Sequence, residues 1–167
     1  GRQMKHVIDE ITHFHDLYQF NILRIYDDLF SVKEDRIREF CERLKETKLD
    51  LVWNASMRVG DVNVDLLKEM KDAGCSHIGY GFESASDKVL TSMAKKVTKE
   101  QLLTAIQASE EAGIGIQANF IYGDPAETVE TIVETEEFYK QHCLDHIVHH
   151  DFIMPYPGSP IFDHSVA

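Results

Sequence analysis

The run Ala73-Gly74-Cys75-Ser76-His77-Ile78-Gly79-Tyr80-Gly81-Phe82-Glu83-Ser84 contains a helix stop, a strand and a strand exit. Gly74 closes a helical pattern around Val64 to Ala73, at the position where a left-handed residue ends a helix. His77 to Phe82 then reads as a strand. Gly79 and Gly81 alternate within it, where they weaken pairing and mark close approach of a ligand or of another backbone; a tight strand-to-helix turn is the plainer explanation. Glu83 and Ser84 emerge at the mouth, able to accept hydrogen bonds from hydroxyls or an ammonium. An echo lies about 40 residues on, where Ala112-Gly113 precedes a strand ending near Tyr122. That offset is the size of one βα unit.

Working outward, the same alternation fills the chain. Met4, Val7, Ile8, Ile11, Phe14 and Tyr18 recur at helical spacing, and Asn21 to Tyr26 reads as a short strand. A helix carrying Ile37, Phe40, Cys41 and Leu44 leads to a strand at Leu51 to Ser56. After a short helix near Ser86 to Ala94, Thr98 and Gln101 form a capping box whose helix ends at Gly113. Ile114 to Tyr122 is a strand, Thr128 opens a helix with Val129, Ile132, Val133 and Tyr139, and His146 to Ile153 is the last strand. Five strands, each preceded by a helix, predict one α/β domain over residues 1–167 with a parallel sheet and right-handed crossovers. Ligands in such sheets bind at the carboxyl ends of the strands.

The 167 residues are 43% hydrophobic and 28% charged, an ordinary soluble composition. No apolar run is long enough to span a membrane, and nothing marks export, so a cytoplasmic location is expected. With 17 Lys and Arg against 29 Asp and Glu the formal charge is −12, which repels phosphate backbones and argues against a nucleic-acid partner. Cys41, Cys75 and Cys143 are odd in number and far apart, which argues against a disulfide framework and for buried thiols in a reducing compartment. His146, His149 and His150 cannot easily converge on one metal, because neighbours in a strand face opposite sides, and His13 and His15 diverge on their helix.

The strand ends hold the candidate site. Asp27 and Asp28 follow the first strand, where adjacent carboxylates repel unless they meet a cation or amide donors; a helix N-cap near Ser31 is the alternative. Arg58 follows the second strand, with a fork suited to a carboxylate or phosphate, or to a structural pair with Asp27 or Glu83. Gln117 and Asn119 share one face of the fourth strand and suit hydrogen bonds to a neutral ligand. The fifth strand leaves through Met154-Pro155-Tyr156-Pro157-Gly158-Ser159-Pro160, a stiff turn that walls a flat ring system or is simply a chain exit.

Taken together these segments resemble the radical S-adenosylmethionine (SAM) superfamily. The phrases are Ile25-Tyr26-Asp27-Asp28-Leu29-Phe30, Ser56-Met57-Arg58-Val59, Gly81-Phe82-Glu83-Ser84-Ala85-Ser86, Phe120-Ile121-Tyr122-Gly123-Asp124-Pro125-Ala126-Glu127-Thr128 and Pro155-Tyr156-Pro157-Gly158-Ser159-Pro160, in the family's order. The wording is closest to the branch that often carries an upstream cobalamin-binding domain. The resemblance implies a partial parallel (β/α) barrel in which a [4Fe-4S] cluster reduces SAM to a 5′-deoxyadenosyl radical. By resemblance Asp27 and Asp28 hold the methionine ammonium of SAM, and Arg58 pairs with its carboxylate or with the acidic motif. Glu83 and Ser84 contact the ribose or the methionine moiety, while Asn119 to Gly123 and the turn at Met154-Pro155 flank the adenine. Gln117 joins this set through its shared face with Asn119.

The family's cluster motif, three cysteines within a short span, has no counterpart here, and the resemblance places it before Gly1. The chain is therefore expected to be a truncated core that lacks the barrel's first strand and is inactive alone. Flavodoxin or ferredoxin is the electron donor the resemblance implies, and a homodimer through the exposed edge or an apolar face is a further expectation. Lys96 and Ala126 each stand where a common form of the family has glycine. Two other classes compete: a non-catalytic binding domain that retains the fold, and a barrel lyase or aldolase with Lys95 or Lys96 as base. Neither lysine is expected inside a strand.

Overall fold

Apolar and polar side chains alternate along each central strand, and this alternation sets the architecture. Trp53, Ala55 and Met57, then Ile78, Tyr80 and Phe82, then Ile116, Ala118 and Phe120 are buried on one face of the sheet. Asn54 and Ser56, Gly79 and Gly81, and Gln117 and Asn119 occupy the intervening positions and turn to the other face. The computed structural model describes residues 2–27, 30 and 33–165. Helices α1 (Met4–Tyr18), α2 (Glu34–Thr47), α3 (Val64–Asp72), α4 (Asp87–Ser92), α5 (Lys99–Glu111), α6 (Val129–His142) and α7 (Pro160–Ser165) alternate with strands β1 (Ile22–Ile25), β2 (Val52–Met57), β3 (Cys75–Glu83), β4 (Gly115–Tyr122) and β5 (Ile147–Phe152), apart from the pair α4 and α5. All pairings are parallel and the strands lie in the order β1-β2-β3-β4-β5. This is an open α/β sheet, part of a (β/α) barrel, as the strand and helix periods predict.

The core lies between the sheet and its helices. The Trp53 ring is fully buried, donates through Nε1 to the Ala73 carbonyl at 2.8 Å and meets Phe40 edge-on at 5.2 Å. Phe82 stacks on Tyr80 at 5.8 Å and meets Phe120 and Phe138 edge-on. Gly74, at φ 92°, ends the α3 turn; a Cβ there would lie 2.4 Å from the Leu51 carbonyl oxygen, so both conformation and space require glycine.

Helix ends follow local chemistry. Thr98 and Gln101 satisfy each other's backbone N–H groups at the start of α5, and Thr128 with Thr131 does the same for α6. Helix α2 opens at Glu34 after Lys33, whose side chain makes no cap bond, and the N-cap alternative near Ser31 falls outside the described residues. One detail differs from expectation. The chain after β5 forms α7, a short helix that the proline-rich sequence did not suggest.

Candidate functional site: a groove across the strand ends

The carboxyl ends of β2, β3 and β4 open into a groove of about 810 Å³, lined among others by Arg58, Gly81, Glu83, Lys95, Lys96 and Asn119. A second, smaller pocket of about 320 Å³ adjoins it and shares Ser56 and Gly79; Arg24, Asp27, Asn54, His77 and Gln117 line it. Both volumes fall in the range of small-molecule sites.

The groove is built by a defect in the sheet. The register of β3 on β4 shifts between Gly81 and Glu83, and Glu83 takes a left-handed φ of 62°. Such a bulge re-aims a side chain at a sheet rim. Here it turns the Glu83 carboxylate, 11% exposed, over Gly81 to accept from Lys95 Nζ at 2.6 Å. The neighbouring Ala94 also has a left-handed φ, 54°. Two non-glycine residues in this region store roughly 1–3 kcal/mol each, and such strain gathers at ligand clamps. Gly79 and Gly81 leave the floor bare: a Cβ on Gly79 would lie 3.3 Å from Ser56 Oγ, and one on Gly81 would lie 2.7 Å from Glu83 Oε1. The glycines therefore do more than serve a turn.

Asn119 is fixed by its neighbours, donating from Nδ2 to the Tyr80 carbonyl at 3.0 Å while its Oδ1 accepts from Gln117 Nε2 at 2.8 Å. Polar groups pre-oriented in this way bind a ligand at low entropic cost. The groove thus combines cations from Arg58 and Lys95, a carboxylate, fixed amides and a bare floor, all at the sheet end where barrel ligands bind.

The sequence-derived candidates separate into three groups. Arg58, Glu83 and Asn119 come together in the groove, and Asp27 and Gln117 line the adjoining pocket. Asp28 lies outside the described residues. Ser84 does not reach the mouth: it is buried, and its Oγ bonds Thr135 Oγ1 at 3.0 Å and accepts from the Ser86 N–H. The bulge that turns Glu83 outward leaves Ser84 facing α6. Gly123 donates its N–H to Glu127 Oε2 at 2.6 Å, while Met154, 70% exposed, and Pro155 do not line either cavity. Lys95 is the residue that sequence reading placed elsewhere; it reaches Glu83 from the turn after α4.

The cysteines do not fit a cluster. Cys75 begins β3 and Cys143 precedes β5, at the end of the sheet opposite the groove, and Cys41 is within α2. Burial pushes the Cys41 and Cys75 thiols up to about 12 and Cys143 to about 11, whereas cluster ligation requires convergent thiolates. Among the described residues no group of three or more His, Cys, Asp or Glu side chains is placed to hold a metal.

Comparison with known proteins settles the family. Residues 2–139 match the family described as the radical SAM superfamily. The chain belongs to the radical SAM superfamily. It is 31% identical over all 167 residues to an uncharacterized methyltransferase of Pyrococcus horikoshii, covering 36% of that protein. It is also 31% identical over 163 residues to the anaerobic magnesium-protoporphyrin IX monomethyl ester cyclase of Rubrivivax gelatinosus, covering 96% of this chain and 29% of the cyclase. This radical SAM chain thus spans about a third of the length of these curated relatives. Among solved structures, the radical SAM methyltransferase TsrM from Kitasatospora setae, with cobalamin and a [4Fe-4S] cluster bound, superposes with a TM-score of 0.83 at 17% identity over 96% of this chain and 30% of TsrM. The cobalamin-dependent radical SAM enzyme OxsB gives 0.74 at 18% identity over 98% of this chain and 25% of OxsB. The relatives are radical SAM enzymes, the shared fold is the partial barrel, and these structural neighbours are cobalamin-associated.

Proposed function

We propose that this chain is the SAM-binding core of an enzyme that, as a whole protein, cleaves SAM reductively to a 5′-deoxyadenosyl radical. The observation that carries the reading is the paired Glu83 and Lys95 over a glycine floor, beside Arg58 and the fixed amide of Asn119. SAM brings matching chemistry: a carboxylate for a cation, ribose hydroxyls for a carboxylate, and an adenine with donors and acceptors for amides. In this reading Lys95 and Arg58 hold the carboxylate, Glu83 accepts from the ribose and Asn119 meets the adenine edge. Asp27, in the adjoining pocket, receives the ammonium. A [4Fe-4S] cluster supplies the electron in the whole protein, and Cys41, Cys75 and Cys143 are not its ligands. Flavodoxin or ferredoxin as donor, and cobalamin in a separate domain, complete the proposal; the cobalamin-dependent neighbours support the latter.

One observation favours a second reading. With all three thiols buried and protonated, these 167 residues can act by binding alone. Lys95 as a catalytic base is disfavoured, since its ammonium pairs with the Glu83 carboxylate. Titration calorimetry with SAM tests the binding reading. Saturable binding is expected, weakened about tenfold, or about 1.4 kcal/mol, by Glu83→Gln. Absence of binding, or full affinity in that variant, contradicts it.

A further inference from the structure

The smaller pocket has a row of polar side chains that the SAM groove does not use. The register places Arg24 of β1 beside Asn54 of β2, and Asn54 beside His77 of β3, all on the face that carries Ser56, Gly79 and Gln117. Next along the row comes Gly115 of β4, with no side chain to fill the space. The Arg24 guanidinium lies 4.7 Å from the centroid of the Tyr26 ring, a cation–π contact. Among the described residues no carboxylate pairs with it. Burial, with the Arg24 charge second, holds the His77 ring below the usual imidazole range, so it is neutral near pH 7. Its Nδ1 is engaged with Ser76 Oγ at 3.0 Å, which leaves Nε2 for another partner.

A guanidinium with no carboxylate partner among the described residues, flanked by neutral hydrogen-bonding groups, matches a single planar anion. A phosphate monoester, with nearly two charges, would ask for more than one cation. The other end of the pocket carries the Asp27 carboxylate, which repels a second negative group. Arg58 is four residues beyond Asn54 along the same chain, so the row lies about 13 Å below the groove mouth at about 3.3 Å per residue. A molecule anchored at Arg24 therefore extends past Ser56 and Gly79 toward the SAM groove.

We propose that the Arg24–Asn54–His77 row is the anchoring subsite for the carboxylate of a small organic acid, the substrate class of this enzyme. Its role as a substrate site rests on the SAM reading of the adjoining groove; its binding of a carboxylate does not. Heteronuclear NMR of the arginine Nε–Hε and histidine ring signals tests it, with hexanoate as probe and hexanamide as its uncharged counterpart. S-Adenosylhomocysteine is titrated into the same sample. Hexanoate is expected to move the Arg24 and His77 signals saturably and at least tenfold more tightly than hexanamide. Arg24→Gln abolishes the response and leaves S-adenosylhomocysteine binding within twofold, and His77→Gln weakens the response. If S-adenosylhomocysteine binds but hexanoate leaves Arg24 unmoved, or the amide binds equally well, the subsite is overturned and the groove reading stands. If hexanoate binds at Arg24 while S-adenosylhomocysteine does not bind, the subsite stands and the groove reading fails.

Discussion

Glu83 concentrates the chemistry of the groove. Its φ is left-handed, and its bond to Lys95 lies over the bare backbone of Gly81, where a Cβ would lie 2.7 Å from Oε1 and 3.6 Å from Lys95 Nζ. Gly81→Ala is expected to split the pair and lower SAM affinity about tenfold, with calorimetry as the check. Ser84, one residue on, behaves in the opposite way. Ser84→Ala removes the acceptor for the Ser86 N–H and the partner of Thr135, so it should cost roughly 1–3 kcal/mol in urea unfolding and leave SAM affinity unchanged. Neighbours in sequence thus divide into a groove-lining residue and a packing residue. The sequence shows both as polar residues at a strand exit, and only the bulge separates them.

Individual elements bury three thiols: Cys41 on α2, Cys75 at the start of β3 and Cys143 at the end of α6. Each pKa is raised in the folded state, chiefly by burial. The unfolded thiols ionise near 9 and the folded ones near 11 to 12, so the unfolded chain binds fewer protons above pH 9. The stability they contribute is complete below about pH 9 and is lost as pH rises toward 11 to 12. Urea midpoints should therefore fall between pH 8.5 and 10.5, and a thiol reagent at pH 8 should label none of the three before unfolding. The helices and strands themselves were legible in sequence because their signals are local: Gly74 and Gly113 stop helices, and Thr98 and Thr128 start them. The Lys95 contact was not legible. It spans twelve residues and depends on left-handed turns at Glu83 and Ala94, which no side-chain preference announces. The same holds for Met154 and Pro155, whose distance from the groove is set by where β5 ends on the sheet rim.

At the scale of the whole sheet, among the described residues both outer strands have one neighbour each: β1 pairs with β2 and β5 with β4. Ile22 on β1 and Phe152 on β5 are exposed apolar residues on those edges. Open edges of this kind pair with another copy, while a net charge of −12 opposes it. Light scattering should show a dimer fraction that grows with protein concentration and with salt, because salt screens the repulsion. A monomer at every concentration and salt level would contradict pairing through these edges. Among the described residues no helix is long and apolar enough to cross a membrane. The barrel character and the ligand end of the sheet were readable from the helix–strand alternation. Which residues meet in the groove was not, since it depends on the register between strands some 20 to 40 residues apart.

The most direct test is a map of backbone amide shifts as SAM is added to the chain. Shifts concentrated at residues 56–61, 79–83, 94–97 and 119–121, which border the groove, are the result expected. Shifts centred on the opposite end of the sheet, or no saturable shifts at all, would contradict a SAM-binding groove at the strand ends.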